Sequence, residues 1–116
     1  MARTRPRRAA AEKITRGSGN VFADLGFADA AERQTKLRLA YTVNSVIDER
    51  AMTQKAVAQA LGINQPKVSA LRNYRLEGFS VERLMNFLTA LDRDVDIVIR
   101  KKPRSRPAAR ISVVAA

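Results

Sequence analysis

No cysteine and no histidine occur among the 116 residues. Their absence excludes disulfides, thiolate and imidazole metal ligands, a thiol nucleophile and the usual proton shuttle, so catalysis would lack most of its ordinary parts. Tryptophan is missing too. The aromatic residues are two tyrosines and four phenylalanines, and they are not interleaved with the basic residues as a stacking platform for single-stranded RNA requires. No apolar run approaches the roughly 20 residues that cross a bilayer. Arg3 to Arg8 has the charge of a signal peptide's first region, but no apolar stretch follows it. These absences point to a cytoplasmic protein that is not an enzyme, needs no cofactor or metal, and has no membrane as a partner.

What is present is an excess of base. The formal net charge is +11, and its position along the chain says more than its size. Residues 1–16 carry six basic groups and one acid, and residues 100–116 carry six basic groups and no acid. Between them, ten bases balance ten acids, so the part with apolar patterning is neutral. Within that part the signs are sorted. Residues 51–76 hold Lys55, Lys67, Arg72 and Arg75 with no Asp or Glu, while the acids lie on either side, from Asp24 to Glu49 and from Glu77 to Asp96. A basic patch confined to one stretch of a neutral domain is the footprint of phosphate binding.

That stretch also carries the most constrained spacing in the chain, Thr53 to Leu71, TQKAVAQALGINQPKVSAL. Counted from Gln54, a small residue stands fifth (Ala58), a glycine ninth (Gly62), and apolar residues tenth, fifteenth and eighteenth (Ile63, Val68, Leu71). Two short helices that cross through a tight turn need this order: a small side chain where they approach, and a residue that accepts positive φ where the chain reverses. Val68 and Leu71, at i and i+3, then share the buried face of the second helix. Thr53 and Asn64 are suitable N-caps, and Pro66 falls in the first turn of the second helix, where its missing N–H costs nothing. The stretch reads as a helix-turn-helix.

These residues resemble the Cro/C1-type (XRE) repressor domain, in Thr53-Gln54, Ala58, Leu61-Gly62-Ile63 and Val68-Ser69-x-Leu71. The longer frame of GNVFADLGFADA, QPKVSAL and GFSVERLMNFLTALDRDVDIVI is similar to small antitoxin-type members of that family, of the HigA kind. The resemblance implies an all-α, lambda-repressor-like fold of about five helices that binds double-stranded DNA. Its narrower form implies a toxin partner, an mRNA-cutting enzyme neutralised by this chain while the pair represses its own promoter.

The remaining segments fit around the motif. Residues 1–18 contain almost no large apolar group and read as a disordered basic arm. In the 19–92 helical domain, Asn20 to Gly26 is expected as a short helical turn that stops at Gly26 and lays Phe22 and Leu25 on the body. Ala30 to about Arg50 is the longest helical pattern, Asn73 to Phe79 a short turn or helix ending near Gly78, and Val81 to about Leu91 a last helix capped by Ser80. From 93 to 101 the period changes. Val95, Ile97 and Ile99 alternate with Asp96, Val98 and Arg100, as in a strand, and with no second strand convincingly encoded the expected partner is the same strand of a second copy, giving a homodimer. Residues 102–116 read as a mobile basic tail, with Ile111 to Val114 as the one internal pairing candidate. Asp92, Asp94 and Asp96 would share a face in such a strand, but no further oxygen donors gather near them, and a solvated edge is the expectation rather than a metal site.

Helix geometry assigns roles within the motif. With Val68 and Leu71 inward, the side chains expected at base edges are Gln65, at the N-terminal tip, then Pro66, Ser69, Ala70 and Asn73. A carboxamide such as that of Gln65 can both donate to and accept from adenine. Phosphate contacts are expected from Gln54 and Lys55 at the start of the first helix, Asn64 at the cap of the second, and Lys67, Arg72 and Arg75 beside it. For Gln54, the family resemblance implies the same role.

Overall fold

The computed structural model describes residues 21–115, and among them the secondary structure is four α-helices in the order α1 (Val21–Glu49), α2 (Gln54–Leu61), α3 (Gln65–Arg72) and α4 (Val81–Ala90). The backbone divides after Arg33 into two units, the first with the opening turns of α1, the second with the rest of α1 and the other three helices. None of the described helices is long and apolar enough to cross a membrane.

The count is four rather than five because the short helix expected to stop at Gly26 is the start of α1, which runs through that glycine without a break. A glycine inside a helix costs only about 1 kcal/mol against alanine. It terminates one only where the chain beyond it cannot continue, and here Ala28, Ala30 and Ala31 are good helix formers. The side chains of residues 21–28, with the expected packing of Phe22 and Leu25, and the basic arm of residues 1–18 lie outside what the structure describes. Asn73 to Phe79 forms turns, not a helix.

From Thr35 onward α1 buries one face, with Leu39, Val43 and Ile47 four residues apart and Val46 three after Val43. Val57 of α2, Val68 and Leu71 of α3, and Leu84, Phe87, Leu88 and Leu91 at α4 join that face and Ala40 in one buried cluster, together with Ile63 and with Leu76 and Phe79 of the α3–α4 loop. Phe79 stands edge-on to Phe87, ring centroids 5.8 Å apart, an arrangement that aromatic quadrupoles favour.

From the end of α1 onward, each helix end is closed by a local device. Thr53, Asn64 and Ser80 have extended backbones, and their side chains accept from Ala56 N, Lys67 N and Arg83 N, satisfying N–H groups that a helix start leaves without partners. At the other ends the chain turns left-handed at Ala51, Gly62, Tyr74 and Asp92. After α1, Ala51 N donates to Asp48 O at 3.0 Å and Met52 N to Ile47 O at 3.1 Å, the paired bonds of a Schellman close. Only one of these four positions is glycine, and Ala51 is exposed. Ala51→Gly is therefore expected to stabilise the protein, by about 0.5–1 kcal/mol through relief of the Cβ clash at positive φ. A rise of roughly 4 °C in the thermal midpoint checks it.

No β-strand forms among the described residues, so the expected strand over 93–101 is not present within the chain. A strand needs a neighbour for its N–H and C=O groups, and neither Ile111 to Val114 nor any other described segment pairs with it. Val95 packs against the core, whereas Ile97, Val98 and Ile99 are 75%, 64% and 92% exposed. The tail is not wholly free of the body, since Val113 is half-buried against the same core.

Candidate nucleic-acid interface

The motif's geometry follows from its turn. Gly62 adopts φ 68° and ψ 36°, and no heavy atom lies within 4 Å of where a Cβ would stand, so the glycine is required by its backbone conformation and not by crowding. The turn delivers α3 with Val68 and Leu71 fully buried beneath it. One face of α3 is thereby committed to the core and the opposite face is left outside.

The residues expected at base edges divide. Gln65, Pro66 and Asn73 are exposed, Ser69 is half-buried, and Ala70 is half-buried against the core cluster. Ala70 instead helps to line a shallow concavity of about 400 Å³ between α3 and the loop after it, with Asn64, Pro66, Lys67, Arg75 and Glu77 to Phe79. Asn73 bends back on its own helix, Nδ2 donating to Ser69 O at 2.8 Å. Gln65 makes no such side-chain bond among the described residues.

The basic residues divide as well. Lys55 and Arg75 are exposed and make no ion pair among the described residues, and Gln54 is exposed at the start of α2. Lys67 lies over the loop, Nζ donating to Gly78 O at 3.2 Å and standing 5.0 Å from the centroid of Phe79. Arg83 covers Phe79 and Phe87 from α4. Asn64 uses its side-chain oxygen as the α3 cap and keeps its amide outside. Arg72 turns the other way. Its Nη2 donates to Asp48 Oδ1 at 2.6 Å, and Nη1 donates to Asn44 Oδ1 at 3.0 Å and Asn44 O at 3.3 Å.

Two residues in this network were not anticipated. Asn44 is 4% exposed on α1, and Asp48 lies one turn further along. The signal was in the sequence: Asn44 interrupts the apolar row of Ala40, Val43, Val46 and Ile47, and a polar residue at a core position must find a partner. What could not be read there is that its partners are Leu71 O and Arg72.

Comparison with known proteins agrees with this geometry. A helix-turn-helix domain family matches residues 21–100. A solved structure named "Putative XRE Family Transcriptional Regulator" is 77% identical, with 76% of this chain and 99% of that chain covered and a TM-score of 0.74. No curated protein matches the chain. The match spans α1 to the end of the 93–100 segment, with the turn at Gly62 and the caps at Thr53 and Asn64 inside it, and the chain belongs to the XRE-type helix-turn-helix family.

Proposed function

We propose that the protein is a transcriptional repressor that binds an inverted-repeat operator in double-stranded DNA as a homodimer, with α3 as the recognition helix. The observation that carries the reading is the division of α3, Val68 and Leu71 sealed in the core while Gln65, Pro66 and Asn73 remain outside. A helix held in this way can enter the major groove by its N-terminal end. Gln65 then meets a base, preferentially adenine, with Ser69 and Asn73 behind it. Gln54, Lys55, Asn64, Lys67 and Arg75 then take the flanking phosphates, a reading that the exposure of Gln54, Lys55, Asn64 and Arg75 supports. That a solved relative at 77% identity bears the name of a transcriptional regulator supports the same reading.

Dimerisation through Val95, Ile97 and Ile99 is supported by the exposure of Ile97 and Ile99 and by the absence of any internal ladder for them among the described residues. The two-fold axis would set two half-sites about 10 to 10.5 base pairs apart, or a multiple of that. The similarity to HigA-like proteins supports a second role, neutralising an mRNA-cleaving toxin. An adjacent reading frame for a small basic ribonuclease is the observation that would favour it.

Selection of bound sequences from random duplex DNA by the full chain tests the main reading. An enriched inverted repeat is the expected result, and recovery of unselected DNA or of a single asymmetric site would count against it. Phosphate contacts have their own signature. Arg75→Ala or Lys55→Ala is expected to weaken binding to all sequences alike and to lower the slope of log affinity against log salt by about one per bound protomer. A salt titration of each variant beside the unsubstituted protein reads this directly.

A further inference from the structure

We propose that Arg72 acts as a positioning residue, its guanidinium held by Asn44 and Asp48 of α1 so as to fix the angle at which α3 meets DNA, in place of a phosphate contact. The inference rests on α3 being the DNA-reading helix. Three acceptors converge on the guanidinium, Asp48 Oδ1 at 2.6 Å, Asn44 Oδ1 at 3.0 Å and Asn44 O at 3.3 Å. Two-thirds of the arginine side chain is covered in the process. Asn44 closes the loop from the other side, its Nδ2 donating to Leu71 O at 3.1 Å from a buried position. One carboxamide therefore grips both the main chain of the last turn of α3 and the arginine that follows.

The chemistry suits arginine alone. A planar fork with donors on two nitrogens can address a carboxylate and an amide together, whereas a lysine ammonium reaches them only as a single point. The end of α1 that holds the fork is itself anchored. Arg50 Nη2 donates to Leu91 O at 2.6 Å, and Arg93 Nη2 to Glu49 Oε1 at 3.0 Å. Asp48 thus projects from a helix end tied to the end of α4, and the fork joins that end to the last turn of α3.

The two roles for Arg72 predict opposite signs for one substitution. If Arg72 met a phosphate, Asp48 would be its competitor, and Asp48→Ala would free the arginine, tighten binding to any duplex and steepen the salt slope by about one per protomer. A clamp gives the reverse. Operator binding by the full-length Asp48→Ala protein is expected to loosen roughly five- to tenfold, the scale of one ordinary hydrogen bond's net contribution, with binding to a scrambled duplex and the salt slope unchanged. Arg72→Lys, which keeps the charge, is expected to lose selectivity to the same extent, and Asp48→Asn, which keeps an acceptor oxygen, to recover part of it. Fluorescence anisotropy on operator and scrambled duplexes across a salt series reads all three.

Amide hydrogen exchange in the DNA-free protein supplies a second measurement. The clamp predicts several-fold faster exchange over Val68 to Asn73 in Asp48→Ala at an unchanged rate in α4. Tighter binding, a steeper slope or unaltered exchange in that variant would overturn the proposal. Absence of any operator preference in the unsubstituted protein would instead sink the DNA-reading assignment, and the exchange rates would still decide whether the clamp exists.

Discussion

Leu71→Ala is expected to lower the thermal midpoint by on the order of 15 °C. Leu71 is fully buried in the last turn of α3, which Asn44 of α1 holds by its carbonyl, and is among the largest side chains that the core seals completely. Truncating a leucine in such a place removes its transfer free energy and leaves a cavity that the surroundings fill only in part, a loss of about 2–5 kcal/mol. A small domain has about 5–15 kcal/mol in all, and at 4–8 °C per kcal/mol the shift follows. Collapse of the cavity is restrained here because the carbonyl of Leu71 is held by Asn44 and cannot move inward without breaking that bond. The substitution also separates support from contact. At a temperature where the variant is still folded, operator affinity should fall far less than stability does, because Leu71 faces away from the exposed side of α3. Circular dichroism melts paired with binding isotherms at 10 °C test both halves. A midpoint within a few degrees of the parent would mean that α3 is not held by this face.

The parts of the fold that were legible in the sequence are those set by neighbours within a few residues. Thr53, Asn64 and Ser80 cap as expected because a cap needs only its own side chain and an N–H three positions on, and Gly62 turns as expected because positive φ is a property of one residue. The close of α1 was legible only in outline, since a left-handed alanine at 51 is a choice the sequence disguises. Gly26 misled for the related reason that a glycine permits a stop without requiring one. Arg72 was the least legible. Spacing along α3 gives the direction in which its stem leaves the helix, but a long side chain can reach either DNA or α1, and the choice depends on Asn44 and Asp48 more than twenty residues earlier in the chain. The same holds for 93–101, whose alternating pattern states that one face wants cover and leaves the source of that cover unnamed.

Ile97→Asp tests the source of that cover, and the expected effect is a loss of operator affinity of about a hundredfold. Ile97, Val98 and Ile99 are three consecutive large apolar residues left mostly in water by the isolated chain, and an unpartnered apolar strand edge is a template for a second strand. In an antiparallel pair across a two-fold axis each Ile97 would lie near its symmetry mate or that mate's Ile99, so one substitution puts two carboxylates into one contact, where like charges destabilise. The monomer loses nothing, because a side chain three-quarters exposed contributes little to its own fold. The cost appears at the operator. A dimer binds its second half-site at an effective concentration in the millimolar range, and loss of that linkage removes about 10²–10⁴ of affinity, of which the lower end is expected if DNA can bring two variant chains together. Sedimentation equilibrium should show a dimer for the parent and a monomer for Ile97→Asp, with equal affinities for an isolated half-site and unequal ones for the full repeat. A variant that remains dimeric would move the dimer contact away from Ile97, and a parent that is monomeric on and off DNA would remove the two-fold arrangement and leave α3 to read a single site.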